Sequence, residues 1–223
     1  MEIDPTKLEV AERYKLLVGA IVPRPIAFVS TISPDGKHAN LAPFSFFTAV
    51  GSNPMTLMFC PANNADGSEK DSLRNAKLRD EGGVGQFVVN VVSESIAAQM
   101  AACAQELPYG DSEFDLSKLT PAPSRVVKPA RVKESLVSFE CETTHVVRTN
   151  PGGKAGGNVV FGRVVHVHVD DAIVNERYHI DPSKLAAVGR MAGLMYCTTR
   201  ERFDLPWGAP AMELAGKPLP RKG

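Results

Sequence analysis

The sequence predicts a mainly β protein, a β-barrel with flanking helices. Three observations carry this. Six β-prone runs, at about 25–32, 38–47, 55–60, 86–92, 137–147 and 159–169, outnumber the helical stretches, a balance that favours a barrel over a parallel α/β sheet. The first two runs are joined by Ser33-Pro34-Asp35-Gly36-Lys37, and Asp-Gly in a short link of this kind is a hairpin signal. The glycine clusters at 82–85 and 152–157 match neither G-x-G-x-x-G nor G-x-x-x-x-G-K-[ST], so no separate dinucleotide-binding domain is expected.

Taken in chain order, residues 5–18 read as an N-terminal helix, with Leu8, Ala11, Leu16 and Val18 partly matching helical period. After the first hairpin, Met55 to Cys60 forms a third strand behind Asn53-Pro54. Asn63 to Gly67 is a polar loop, and Ser68 opens a helix to about Arg79, with Ser68-x-x-Asp71 as a weak capping box. Gln86 to Val92 is an apolar strand. Ser93 caps a helix over 94–105 whose Ile96, Met100 and Cys103 share a face. Residues 106–130, rich in Pro, Ser and Asp, are too long for an idle connector and are expected to cover something. Two long strands follow, Val137 to Val147 and Val159 to Val169, linked by the loop Asn150 to Gly157. On the first, Val137, Phe139 and Cys141 face one way and Glu140 and Glu142 the other, where they read as solvent-facing charges. His166 and His168 share a strand face, but a zinc site needs further ligands that no suitable spacing supplies.

At 223 residues the chain supports one substantial core. The expected division is a domain over 1–205 and a Pro/Gly-rich tail over 206–223, either an arm on a partner subunit or mobile. Net charge is zero, which gives no electrostatic case for nucleic acid or an anionic membrane. The longest apolar run, Leu16 to Val22, is too short to span a bilayer. The acidic N-terminus is unlike a signal peptide. Cys60, Cys103, Cys141 and Cys197 form no C-x-x-C pair, and read as reduced thiols of a cytoplasmic protein. Cys60 is the candidate for a redox thiol, given a nearby cation or helix start.

The second strand is the unusual one. Pro43 cannot donate to a ladder, and Asn40 and Ser45 sit among apolar and aromatic residues. Backbone groups left free beside aromatics suit a flat ring with a polar edge. Further on, Gly67-Ser68-Glu69-Lys70-Asp71-Ser72 places a turn, a cation and a hydroxyl at a helix start, which attracts an anion. On the residues alone, an ordinary capped surface helix is the stronger reading.

The texts RPIAFVST, NLAPFSFF, GSEKDSLRN, FVVNVVS, SEFD and GRMAGLMY run in order from Arg24 to Tyr196. In this the chain resembles the flavin reductase-like family, whose members fold as FMN-binding split β-barrels, flavoredoxin-like proteins among them. Two positions depart from the family pattern. Ser72 stands where threonine is usual, and Ala192 replaces the first of two late glycines; neither change removes a needed donor.

The resemblance implies an FMN site. Lys70 and Ser72 would hold the phosphate, reversing the preference for a plain surface helix. Backbone amides of the strand through Asn40, Leu41, Ala42 and Pro43 would meet the polar edge of the ring. Phe44, Phe46 or Phe47 would pack on the ring, at least one of them being core because neighbours face opposite sides. Thr31 and Ser45 would bond the ribityl chain, and Arg190 would lie near the flavin and the dimer seam. The resemblance also implies a homodimer and an oxidoreductase passing electrons from NAD(P)H, a transient donor stacked under residues 106–123, to free flavin, oxygen or a partner. The alternative is an FMN-containing electron-transfer protein with no direct NAD(P)H reaction. No side chain presents itself as a proton donor.

Overall fold

The computed structural model describes residues 1–219 and the backbone of 221 and 222. The tail expected over 206–223 therefore lies partly outside the described residues. Helix α1 (Val10–Ala20) starts where the Glu9 N–H donates to Glu12 Oε2 at 2.9 Å. It lies later than the predicted 5–18, because Pro5–Lys7 form a separate short turn. Strands β1 (Ala27–Ile32) and β2 (Ala39–Phe44) form the expected hairpin, in a register running from Ala27↔Phe44 to Ile32↔Ala39. Gly36 takes a positive φ of 76° at its turn, a conformation that favours glycine.

The run predicted as one strand over 38–47 is two. The chain bends at Ser45 and Phe46 and continues as β3 (Phe47–Ser52), which pairs with β4 (Met55–Phe59). A six-residue helix α2 (Asp71–Ala76) leads to β5 (Gln86–Val91). Then come α3 (Ala97–Ala102), α4 (Glu113–Ser117) and the short pair β6 (Pro121–Ala122) and β7 (Arg131–Val132). The long strands β8 (Val137–Arg148) and β9 (Asn158–Val169) are followed by α5 (Pro182–Leu185), β10 (Val188–Arg190) and β11 (Tyr196–Thr198). Seven strands form one antiparallel sheet in the order β2-β1-β5-β8-β9-β4-β3. Its edge strands, β2 and β3, are consecutive in the chain. They join directly through Ser45 and Phe46, and the Phe44 ring of β2 meets Phe59 of β4, so the sheet coils back on itself at the bend.

Coiling gives the sheet two apolar faces. Ala27, Val29, Phe59, Phe87, Val89, Cys141 and Val160 fill the inside. The Phe59 ring meets Phe44 and Phe87 at centroid distances of 5.2 and 5.0 Å. Gly162 of β9 is required here, because a Cβ at that position would collide with the Phe87 ring. On the outside, Phe28, Leu41, Val92, Ile96, Met100, Phe114 and Val132 join the helices to the sheet. β1 is buried on both faces for this reason.

One expectation from strand alternation is corrected. Glu140 is not a surface charge; it is 1% exposed. The segment 124–132 lies across β5 and β8, and its backbone amides need acceptors. Glu140 Oε1 accepts the Arg125 N–H at 2.7 Å, and Oε2 accepts those of Val126 and Val127 at 2.6 and 3.1 Å. Gln86 and Asn90 accept the N–H groups of Lys128 and Val132. The polar residues of this face are thus satisfied by the covering segment, which overlaps the end of the 106–130 region predicted to cover something. Glu142 does face solvent, paired with Arg163 at 2.8 Å.

Burial opposes the charge on Glu140, but the three amides outweigh it and hold the carboxyl below the usual range. A carboxyl depressed in the folded state adds stability that is present above its unfolded pKa and is lost as pH falls through the folded one. Glu140→Gln is therefore expected to cost about 2 kcal/mol at neutral pH and to flatten the acid limb of a Tm-against-pH curve. An unchanged acid limb in the variant would contradict this account.

Candidate functional site

A cleft of about 520 Å³ opens where β2, α2, the 103–113 segment and α1 meet, within the size range of small-molecule sites. Its geometry follows from the edge position of β2. One side of this strand pairs with β1, and its other side faces the cleft. Leu41 and Pro43, two residues apart, turn their backbone nitrogens the same way. Pro43 has no N–H to leave unmet there. The Leu41 N–H donates to Glu113 Oε2 at 2.8 Å.

The floor is a polar relay. Asn40 Nδ2 donates to Ser72 Oγ at 2.9 Å and to Thr31 Oγ1 at 3.3 Å, and Asn75 Nδ2 donates to the same Thr31 oxygen at 3.1 Å. Asn40 and Ser72 line the cleft. Ser72 accepts through its oxygen, which leaves its O–H as a donor. Thr31 is 1% exposed and does not line the cleft; it sits one layer behind, holding Asn40 and Asn75 rather than facing an occupant.

One end is cationic. The helix expected over 68–79 is shorter, with Lys70 at its cap and Asp71 first. Ser68 caps nothing, because its N–H and O–H both go to Asp66 Oδ1, at 2.9 and 2.6 Å. The anion-holding capacity therefore lies in side chains. Lys70 Nζ pairs with Glu106 at 3.1 Å. Arg74 pairs with Asp71 and stands over the Tyr109 ring, 4.9 Å from its centroid, and Tyr109 in turn packs on His38. Such half-exposed ion pairs are worth at most about 1 kcal/mol, so an incoming anion can replace these carboxylates at little cost.

The other walls are apolar. Ala42, Pro43, Phe44, Phe46 and Tyr14 line the cleft. Of the three phenylalanines, Phe44 and Phe46 reach it, while Phe47 packs against the interior cluster. The Leu41 side chain is fully buried in the outer core, so only its backbone belongs to the site. Ser45 lines the bend. Cys60 also lines the cleft, but burial pushes its thiol up, which opposes a redox thiolate. Among the described residues no group of three or more His, Cys, Asp or Glu is placed to hold a metal, His166 and His168 included.

Arg190 does not line the cleft. Its guanidinium lies 4.5 Å from the Tyr196 ring centroid and donates to the Met195 carbonyl. Its backbone pairs with that of Arg24 through bonds of 3.0 and 2.8 Å.

Tyr14, Arg74, Tyr109 and Glu113 line the cleft but were not singled out from the sequence, nor was Arg24, which stands behind the lining and holds Ser45. Arg24, 4% exposed, donates to the Val18 and Ile21 carbonyls at the end of α1, to Ser45 Oγ at the bend and to the Met191 carbonyl. A lone cation ahead of an apolar strand was its signal. Glu113 reads in the sequence as an ordinary first-turn acid, and its reach to β2 has no local signature.

Residues 18–200 match the flavin reductase like domain family. An uncharacterized protein of Aquifex aeolicus is 39% identical over 82% of this chain and 88% of its own. Among solved structures, nitrilotriacetate monooxygenase component B from Bacillus cereus is 33% identical with a TM-score of 0.84, covering 92% of this chain and 98% of that one. The 2-nitrobenzoate 2-nitroreductase NbaA of Pseudomonas fluorescens is 26% identical with a TM-score of 0.80, over 94% and 97%.

Proposed function

The chain belongs to the flavin reductase like domain family, and from that premise we propose that it is an FMN-dependent oxidoreductase of the flavin reductase type. The observation that supports this most is one cleft lined both by Pro43, Phe44 and Phe46 and by Lys70, Arg74 and Ser72. That donor set fits a flat apolar ring tied to a phosphate. Lys70, Arg74 and Ser72 would hold the phosphate, Asn40 and Ser45 the polar chain, and Pro43, Phe44 and Phe46 the ring. Bound flavin supplies a hydride acceptor and carrier, taking reducing equivalents from NAD(P)H for free flavin, oxygen or a partner. The chain's own part is to position the ring and exclude water. With no dinucleotide-binding motif in the chain, the nicotinamide would share this cleft, beneath residues 106–123. The names of the two solved relatives, a monooxygenase component and a nitroreductase, are in keeping with such chemistry.

We place the protein in the cytoplasm, where its four unpaired thiols stay reduced. We also take it to be a homodimer. Helix α1 buries only Val18 and leaves Tyr14, Leu16 and Leu17 exposed, as is Ile21 just after it, and Leu194 and Met195 are bare beside Arg190. Tyr14 lines the cleft as well, so a partner covering α1 would border the site.

The purified protein loaded with FMN is expected to bleach anaerobically on addition of NADH or NADPH. Bound FMN that neither nucleotide reduces would favour the electron-transfer alternative, and failure to bind any flavin would defeat the reading. Lys70→Ala should weaken FMN about tenfold or more and riboflavin far less, since riboflavin lacks the phosphate. Equal losses in fluorescence titrations would remove Lys70 from the phosphate. Sedimentation should show a dimer; a monomer that binds FMN tightly would refute the proposed seam.

A further inference from the structure

Glu113 opens α4 and lines the cleft, yet it is 7% exposed. Oε2 accepts the Leu41 N–H, and no salt bridge among the described residues reaches the carboxyl. The cations that line the cleft with it are paired with other carboxylates. Lys70 is engaged by Glu106, and Arg74 by Asp71. Cys103, at the end of α3, donates from Sγ to the Glu113 carbonyl at 3.7 Å, and burial pushes this thiol up to about 11. Tyr109 stacks between Arg74 and His38.

A carboxylate kept only to cap the Leu41 amide would be better served by a cation or by water. Here burial pushes the Glu113 carboxyl up, by more than the Leu41 amide lowers it, and the Asp71 charge adds to the rise. A buried acid with no counter-ion, in a cleft, is the arrangement expected of a group that works on a ligand.

We propose that Glu113 serves this cleft as a hydrogen-bond donor, its Oε1 carrying a proton that is shared with an acceptor atom on the edge of the bound ring. The proposal rests on the flavin reading of the cleft. Oε2 stays on Leu41, so the same residue holds the strand and grips the ring. The neutral form binds, and the charged form faces ring acceptors with another anion, Asp71, at its side. Affinity for the ring therefore falls as pH rises through the titration of Glu113.

Riboflavin is the probe, because it carries no phosphate that would titrate in the same range. Its affinity for the wild-type protein should fall roughly tenfold as pH rises through the titration of Glu113, the worth of one hydrogen bond. Glu113→Gln donates through an amide that does not ionise and should bind with a flat profile. A flat wild-type profile, or the same slope in both proteins, would overturn the proposal. If Glu113→Gln does not fold, Asp71→Asn replaces it. Removing that charge should move the break in riboflavin affinity to lower pH, and an unmoved break overturns the assignment. An infrared pH titration of the ligand-free protein separates this from the cofactor reading. A protonated carboxyl band that persists above the ordinary glutamate range of about 4.3 and is missing in Glu113→Gln supports the donor. Its loss at ordinary pH overturns the donor whatever the cleft binds. A persistent band with no riboflavin binding at any pH defeats the cofactor reading and, with it, the donor's role toward a ring.

Discussion

A strand that turns its outer backbone groups toward a cleft needs partners for them other than a neighbouring strand, and β2 solves this residue by residue. Pro43 has no donor to satisfy. Leu41 gives its N–H to a carboxyl from α4. Asn40 reaches sideways to Ser72 and back to Thr31, joining β2, β1 and α2 through side chains. Ser45 ends the strand in the grip of Arg24, which also closes α1 and holds the Met191 carbonyl. An ordinary edge strand would be a site for unwanted pairing. This one is covered on its open side by the elements that build the cleft.

The electrostatics of the cleft follow from the same arrangement. Its mouth carries Lys70 and Arg74, each held by a nearby carboxylate and each near the segment 104–112 through Glu106 or Tyr109. Exposed pairs exchange partners readily, so the charged end can accept an anion without disturbing the fold. The inner end is different. Glu113 is buried, has no counter-ion among the described residues and is fixed to the strand. Weakly paired cations, an apolar wall and a buried carboxyl in one cleft suit a ligand with a flexible anionic tail and a flat, hydrogen-bonding head.

Much of the fold is legible in the chain because it is written locally. Asp35-Gly36 marks the first hairpin, and the apolar runs of β5, β8 and β9 are long enough to place within a residue or two. The resemblance running from Arg24 to Tyr196 pointed to the cleft through Asn40, Pro43, Ser45, Phe46, Lys70 and Ser72, all of which line it. Illegible were features that depend on what lies above a face. Alternation sends Glu140 outward correctly, but cannot show that a distant segment covers that side and needs its oxygens. The bend at Ser45 and Phe46 interrupts a run that reads as one strand, since nothing in Pro43-Phe44-Ser45-Phe46 differs from an irregular edge. Thr31 is indistinguishable in sequence from a cleft-facing hydroxyl; only the placement of Asn75 puts it behind the floor. Glu113 and Arg24 act across more than sixty and one hundred and sixty positions, at Leu41 and Met191, and no periodicity records such contacts.

The central claim is that the β2 edge, α2 and the 103–113 segment together form the flavin site. Backbone amide shifts of the isotopically labelled protein, followed as FMN is added, test it most directly. The account predicts that the largest changes fall on residues 40–46, 70–74 and 103–113, with the Leu41 amide among them. Changes concentrated elsewhere, with these three segments unmoved, would contradict it.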